Sequence, residues 1–146
     1  MDNTLKIAIA NDHGGVRLKK IISEHLCAQG FKIINLGPDN SSSVDYPIYA
    51  QKVGAAILNK DADLGILCCG TGIGMSIAAN KIKGIRATVV SDTFSAKVTR
   101  EHNHTNVLCL GERVIGESLA LLLVDTWLSA TPSTGRHAAR VAQLER

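Results

Sequence analysis

The stretch GILCCGTGIGMSIAANK, Gly65–Lys81, decides how this chain is read. An apolar run ends in adjacent cysteines, Cys68 and Cys69, and passes through Gly70, Gly72 and Gly74 into a helix-forming segment. That order predicts a strand, a glycine turn and a helix start. Such a turn offers bare backbone N–H groups, which together with the helix dipole favour an oxyanion or a phosphate. Two nucleotide-binding versions of the motif fail. No Lys-Ser or Lys-Thr follows the glycines, as a P-loop requires. The dinucleotide fingerprint needs a third glycine where Met75 or Ile77 stands, and the loop follows the third strand rather than the first. A plain tight turn would explain one glycine; three together favour close approach to a ligand.

Cys69 falls at the strand end, beside this nest. Positive dipoles at a helix start lower a thiol pKa from about 8.5, so Cys69 is expected to serve as a thiolate base or nucleophile. Successive strand residues point to opposite faces, so Cys68 is a poor partner for Cys69, and Cys68, Cys27 and Cys109 are expected in the core.

Outward from this stretch, β-branched runs alternate with helical patterns. LKIAIA (5–10), FKIINLG (31–37), DLGILCC (63–69), IRATVVS (85–91) and NVLCLG (106–111) read as strands. VRLKKIISEHLCAQG (16–30), YAQKVGAAILNK (49–60), GMSIAANKIKG (74–84), TFSAKVTREHN (93–103) and ESLALLLVDTWLSA (117–130) read as helices. Strands this apolar are buried on both faces, which predicts a parallel sheet with helices on each side. Ligands of such sheets bind beyond the carboxyl ends of the strands, where NDHGG (11–15), GPDNSSSVDYP (37–47), CGTGIG (69–74), SDT (91–93) and GERVIG (111–116) are expected. The tail TPSTGRHAARVAQLER, 131–146, reads as a basic arm or short helix, within one domain over 1–146.

The bulk numbers narrow the function classes. A net charge of +3, with basic residues spread along the chain, does not point to nucleic acid, and 3% aromatics leave few platforms for stacking bases. No apolar run is long enough for a membrane span, and Asp12 arrives too early for a signal peptide, so a cytoplasmic protein with reduced cysteines is expected.

Other polar residues carry two readings each. Asp12 and His13 are a ligand-binding pair or a helix cap beside a solvated histidine. His102, Asn103 and His104 end a helix, and His104 reads as a surface histidine beside the C-cap. Arg136 and Arg140, four apart, share a helix face, and with Arg113 and His13 are candidates for an anion site. Cys69, His13, His102 and Asp12 are zinc-ligand types, but their spacing matches no compact zinc motif.

Taken in order, DHGG (12–15), VDYPIYA (44–50), GILCCGTGIGMSIAANKIKGIRA (65–87), REHN (100–103), NVLCLGERVIG (106–116) and GRHAAR (135–140) resemble the family of type B ribose-5-phosphate isomerases. That family also holds galactose-6-phosphate and allose-6-phosphate isomerases. The resemblance runs from about Lys6 to Arg140. It implies a three-layer α/β/α sandwich with a five-stranded parallel sheet in the order 2-1-3-5-4. It implies a homodimer or homotetramer with sites shared between subunits, acting without cofactor or metal on a sugar phosphate. Under it, Cys69 is the base of an aldose–ketose isomerisation. Thr71 and the N–H groups of Gly70, Gly72, Ile73 and Gly74 hold the enediolate. The partner subunit's His102 opens the furanose ring with help from Asp12. Tyr46 and Asn103 contact the sugar, and His13, Arg113, Arg136 and Arg140 hold the phosphate. Some relatives use a Glu at the position of Met75 as base; Met75 cannot, which leaves Cys69. The competing readings are a hexose-6-phosphate isomerase, a non-catalytic phosphosugar-binding protein and a thiol redox protein.

Overall fold

A computed structural model describes residues 4–145. Five strands form one parallel sheet: β1 (Lys6–Asn11), β2 (Lys32–Asn35), β3 (Leu64–Cys69), β4 (Ala87–Val89) and β5 (Val107–Gly111), in the order β2-β1-β3-β5-β4. Between and after them run α1 (Val16–Ala28), α2 (Tyr46–Leu58), α3 (Ile73–Asn80), α4 (Thr93–Asn103), α5 (Glu117–Ser129) and α6 (Arg136–Leu144). The parallel sheet and its order agree with the sequence expectation, and the tail supplies a nine-residue helix, α6.

Strand alternation sorts the core into two layers. Ile7, Ile9, Ile66, Cys68, Leu108 and Leu110 face α1, α4 and α5, where Ile22, Leu26, Leu123 and Trp127 are fully buried. Ala8, Ala10, Leu67, Cys69, Val107 and Cys109 face α2 and α3. Cys68 and Cys69 therefore lie on opposite sides of the sheet, as their adjacency predicts. Cys27 is exposed near the end of α1, against the expectation of a core cysteine, because it falls off the apolar stripe of Leu18, Ile22 and Leu26.

The sheet edges are closed by side chains. Asn80 donates to Ala87 O at 2.8 Å and accepts from Ala87 N at 2.7 Å, which covers the outer edge of β4. This clamp and the Arg86 N–H, which donates to Asn106 Oδ1, limit β4 to three residues, fewer than the pattern 85–91 suggests. Buried Lys19 donates to Asn35 Oδ1, Pro38 O and Asp39 Oδ1, tying α1 to the loop that leads from β2 into α2. None of the described helices is long and apolar enough to cross a membrane.

Candidate active site

At the carboxyl end of β3 the chain turns into α3 through Gly70, Thr71 and Gly72. Gly72 is the N-cap of α3 with φ +81°, a left-handed conformation that glycine adopts without steric cost. The turn brings the Gly72 N–H to the Cys69 sulfur, at 3.0 Å, and the Ile73 N–H to Thr71 Oγ1, at 3.2 Å. Two of the nest's donors thus have partners inside the loop. Cys69 is 5% exposed, at the floor of the crevice, while Thr71 and Ile73 are exposed at its rim.

The neighbouring loops are stitched to this turn. Asp12 N donates to Cys68 O, Glu112 N to Cys69 O and Arg113 N to Gly70 O. The Arg113 side chain lies over Gly70, and the Tyr46 ring lies against Gly74. Asp12 Oδ1 accepts from Gly14 N at 2.8 Å, so its carboxylate closes a turn. The helix cap that Asp12 was a candidate for is supplied by Glu112, whose Oε1 accepts from Leu18 N at 2.7 Å. His13 is exposed and accepts at Nδ1 from Val44 N. A cavity of about 260 Å³ adjoins the turn, lined by Thr71, Ile73, Val89, Val90, Gly111 and Val114 among others.

The other cysteines of the sheet are chemically quiet. Burial, then the neighbouring Cys69 and Glu112, pushes the Cys68 thiol far up, and burial does the same to Cys109. Both stay protonated across the neutral range. Among the described residues no three His, Cys, Asp or Glu side chains come together as a metal-binding group, so Cys69, His13, His102 and Asp12 do not form one.

His102, Asn103, Arg136 and Arg140 lie elsewhere. Helix α4 runs antiparallel to the strands, so its C-terminus reaches the amino edge of the sheet, where Asn106 bonds Gly65 N and Arg86 O at the starts of β3 and β4. β3 has six residues, so at roughly 3.3 Å per residue its two ends are about 16 Å apart. Within one chain, therefore, Arg136 and Arg140 do not join Arg113 and His13 in one anion site. Arg140 joins His102 instead. The His102 and His137 rings stack with centroids 4.0 Å apart and planes 5° from parallel. His102, Asn103, His137, Arg140, Val141 and Leu144 line a cavity of about 320 Å³.

This second group is locked by side chains. His104 is the C-cap of α4, with φ 49°, and its Nε2 meets Ser133 O at 2.7 Å. It is half-buried and pins the segment before α6, unlike the surface histidine expected from sequence. Ser133 N donates to Glu101 O in return. Trp127 Nε1 donates to Thr105 Oγ1 and Arg100 donates to Thr105 O, which fixes the residues after the cap. His137 carries no role in the motifs of the sequence. Its signal was the spacing His137, Arg140, Val141, Leu144, an i, i+3, i+4, i+7 stripe that faces one surface of a helix.

The family model described as Ribose/Galactose Isomerase matches residues 7–144. The chain is 50% identical to the ribose-5-phosphate isomerase B of Escherichia coli over 93% of this chain and 91% of that one. The structure of the Clostridium thermocellum ribose-5-phosphate isomerase B superposes with a TM-score of 0.95 at 49% identity, covering 97% of this chain and 95% of the other. That of the Mycoplasma genitalium enzyme with bound ribulose-5-phosphate gives 0.92 at 44% identity, covering 97% and 94%. With the match spanning both edges of the sheet, the chain belongs to the ribose/galactose isomerase family.

Proposed function

We propose that this protein interconverts D-ribose 5-phosphate and D-ribulose 5-phosphate through an enediolate, with Cys69 as the base. The observation that carries the reading is the Cys69 sulfur at the floor of the glycine turn, accepting the Gly72 N–H at 3.0 Å beside the N-terminus of α3. Identity of 50% to an enzyme named for this substrate supports it.

Cys69 takes the proton from C2 of the open-chain aldose. The C–H electron pair becomes the C1–C2 double bond, and O1 gains the charge. Thr71 and the N–H groups along Gly70–Gly74 are the donors for that charge, those of Gly72 and Ile73 turning to it from the Cys69 sulfur and Thr71 Oγ1. The thiol then returns its proton to C1, the O2 proton passes to O1, which becomes the C1 hydroxyl, and the carbonyl forms at C2. Proton transfer beside a carbonyl needs a base and preorganised donors, so this route calls for no cofactor. The phosphate, held by His13 and Arg113 with the partner subunit's Arg136 and Arg140, fixes the sugar so that one base serves both carbons. The partner subunit's His102 opens the ring with Asp12, and Tyr46 and Asn103 contact the sugar.

The two-edge arrangement supports a homodimer or homotetramer: with Cys69 and His102 at opposite edges of one chain, a substrate that meets both draws His102 from a second copy. Exposed Ile73, Ile77, Val89, Phe94 and Val114 offer apolar surface beside the glycine turn for a second copy to cover. Four unpaired cysteines among the described residues fit a cytoplasmic compartment.

The test is NMR of D-ribose 5-phosphate with the purified protein in deuterated water containing EDTA. Ribulose 5-phosphate with deuterium at the transferred position is the expected result. Turnover of allose or galactose 6-phosphate alone would shift the substrate to a hexose. Binding without turnover of any sugar phosphate would make the protein a phosphosugar-binding module.

A further inference from the structure

We infer that His137 is a positioning residue for His102: its imidazole, stacked face to face on the other, sets the plane of the His102 ring and leaves His102 as the member of the pair that carries a proton. The inference rests on the proposed ring-opening role of His102.

The geometry is the starting point. At a centroid distance of 4.0 Å and 5° between planes, the two rings present their full faces to each other. Two imidazolium ions cannot be held this way without strong mutual repulsion, so the pair takes one proton readily and resists the second. One imidazolium over one neutral ring is the favourable arrangement, because the neutral π-face attracts the cation.

Which ring stays neutral follows from the surroundings. The groups facing His137 are His102 and His104 from α4 and its cap, and Arg136 and Arg140 from its own helix. All are cationic or able to become so. Burial against α4, then this positive set, pulls the His137 imidazole below the ordinary histidine value. His137 is the ring disfavoured as a cation, and the proton goes to His102.

His102 is also held in place by this contact. It is the penultimate residue of α4, where side chains ordinarily have room to turn. Its flat partner is carried on α6, which is fixed at one end by the His104–Ser133 contact and at the other by an ion pair between Arg86 and Glu145. A general acid–base group needs its ring nitrogen within hydrogen-bond reach of the sugar oxygen, and a misplacement of about 1 Å costs up to about 100-fold.

The experiment is a proton NMR titration of the full-length protein, following the two Cε1–H signals, assigned with His102→Asn and His137→Phe. The expected result is two separated titrations, the lower belonging to His137 and absent from His137→Phe. A shared titration at the ordinary histidine pH, or His102 as the lower of the two, would overturn the inference. This readout needs no activity, so it decides the pairing even if no sugar phosphate is turned over. Where ribose 5-phosphate is turned over, His137→Ala should lower kcat about tenfold with KM within about twofold, since only ring placement is lost. His137→Phe, which keeps the π-face, should recover most of it. A phenylalanine variant as slow as the alanine one, or an alanine variant at wild-type rate, would count against it.

Discussion

The two edges of the sheet position their functional groups by different means. At the carboxyl edge, backbone does the positioning: Asp12 N, Glu112 N and Arg113 N donate to the carbonyls of Cys68, Cys69 and Gly70, so three loops share one hydrogen-bonded seam under the cysteine. At the amino edge, side chains do it: His104 on Ser133, Arg86 on Glu145, Trp127 on Thr105, His137 on His102. A backbone seam tolerates little, because each atom is fixed by its neighbours along the chain. A side-chain latch can be loosened one contact at a time. Under the proposed function, the first suits a base that must meet a carbon with sub-ångström accuracy, and the second suits a module that is offered to another subunit.

The sharpest way to test this contrast is at Cys69. Cys69→Ala should cut turnover by about 1,000-fold or more, the upper range for an acid–base group, while inorganic phosphate binding, followed by calorimetry, stays within about twofold. Activity within tenfold of wild type would place the base elsewhere.

A pair of glycine substitutions separates the two edges by stability. A Cβ at Gly15 would stand 2.2 Å from Cys68 O, so Gly15→Ala forces the seam apart and should cost about 3 kcal/mol or more. Gly135, with φ +72°, has open space around it and precedes α6, so Gly135→Ala meets only backbone strain, about 1–2 kcal/mol. Urea unfolding should show the first as a lower global midpoint. Hydrogen exchange should show the second mainly as weaker protection of 136–144. Equal global losses would mean that the two edges form one cooperative unit.

The difference also explains what could be read from sequence. The carboxyl edge is local: Cys69, Gly70, Thr71, Gly72 and Gly74 are consecutive or nearly so, and the strand–turn–helix pattern places them without knowledge of the rest of the chain. The alternation that puts Cys68 and Cys69 in separate layers is equally local. The amino edge is not. Ser133 meets residues 101 and 104 through an extended segment with no periodicity, and nothing in TPSTG signals the helix it will lie against. His104 takes a left-handed cap that glycine or asparagine would have announced. The exposed Cys27 and the short β4 were misjudged for a related reason: the helix register and a side-chain clamp from Asn80 decide them, and propensity does not.

The smallest effect separates the latch from the rest by pH. Arg86 donates from Nη1 to Glu145 Oε1, and from Nε and Nη2 to His104 O, which joins the end of α6 to the cap of α4. The Arg86 hydrogen bond, with help from the Gly84 N–H and Lys83, holds the Glu145 carboxyl below the usual carboxylate range. A carboxyl depressed in the folded state stabilises it above the unfolded value, about 4.3, and that stability is lost as pH falls through the folded value. The pair is partly exposed, 23% and 29%, so solvent screening limits its worth to about 0.5–1 kcal/mol. Glu145→Gln should therefore be less stable than wild type by that amount at pH 7. The gap should close at acid pH, where the wild-type carboxyl is also neutral. Every other acidic group titrates alike in both proteins, so the difference between their urea midpoints isolates this one contact. No gap at any pH would mean that Arg86 holds α4 through the His104 carbonyl alone, and that the far end of α6 is carried by the packing of Val141.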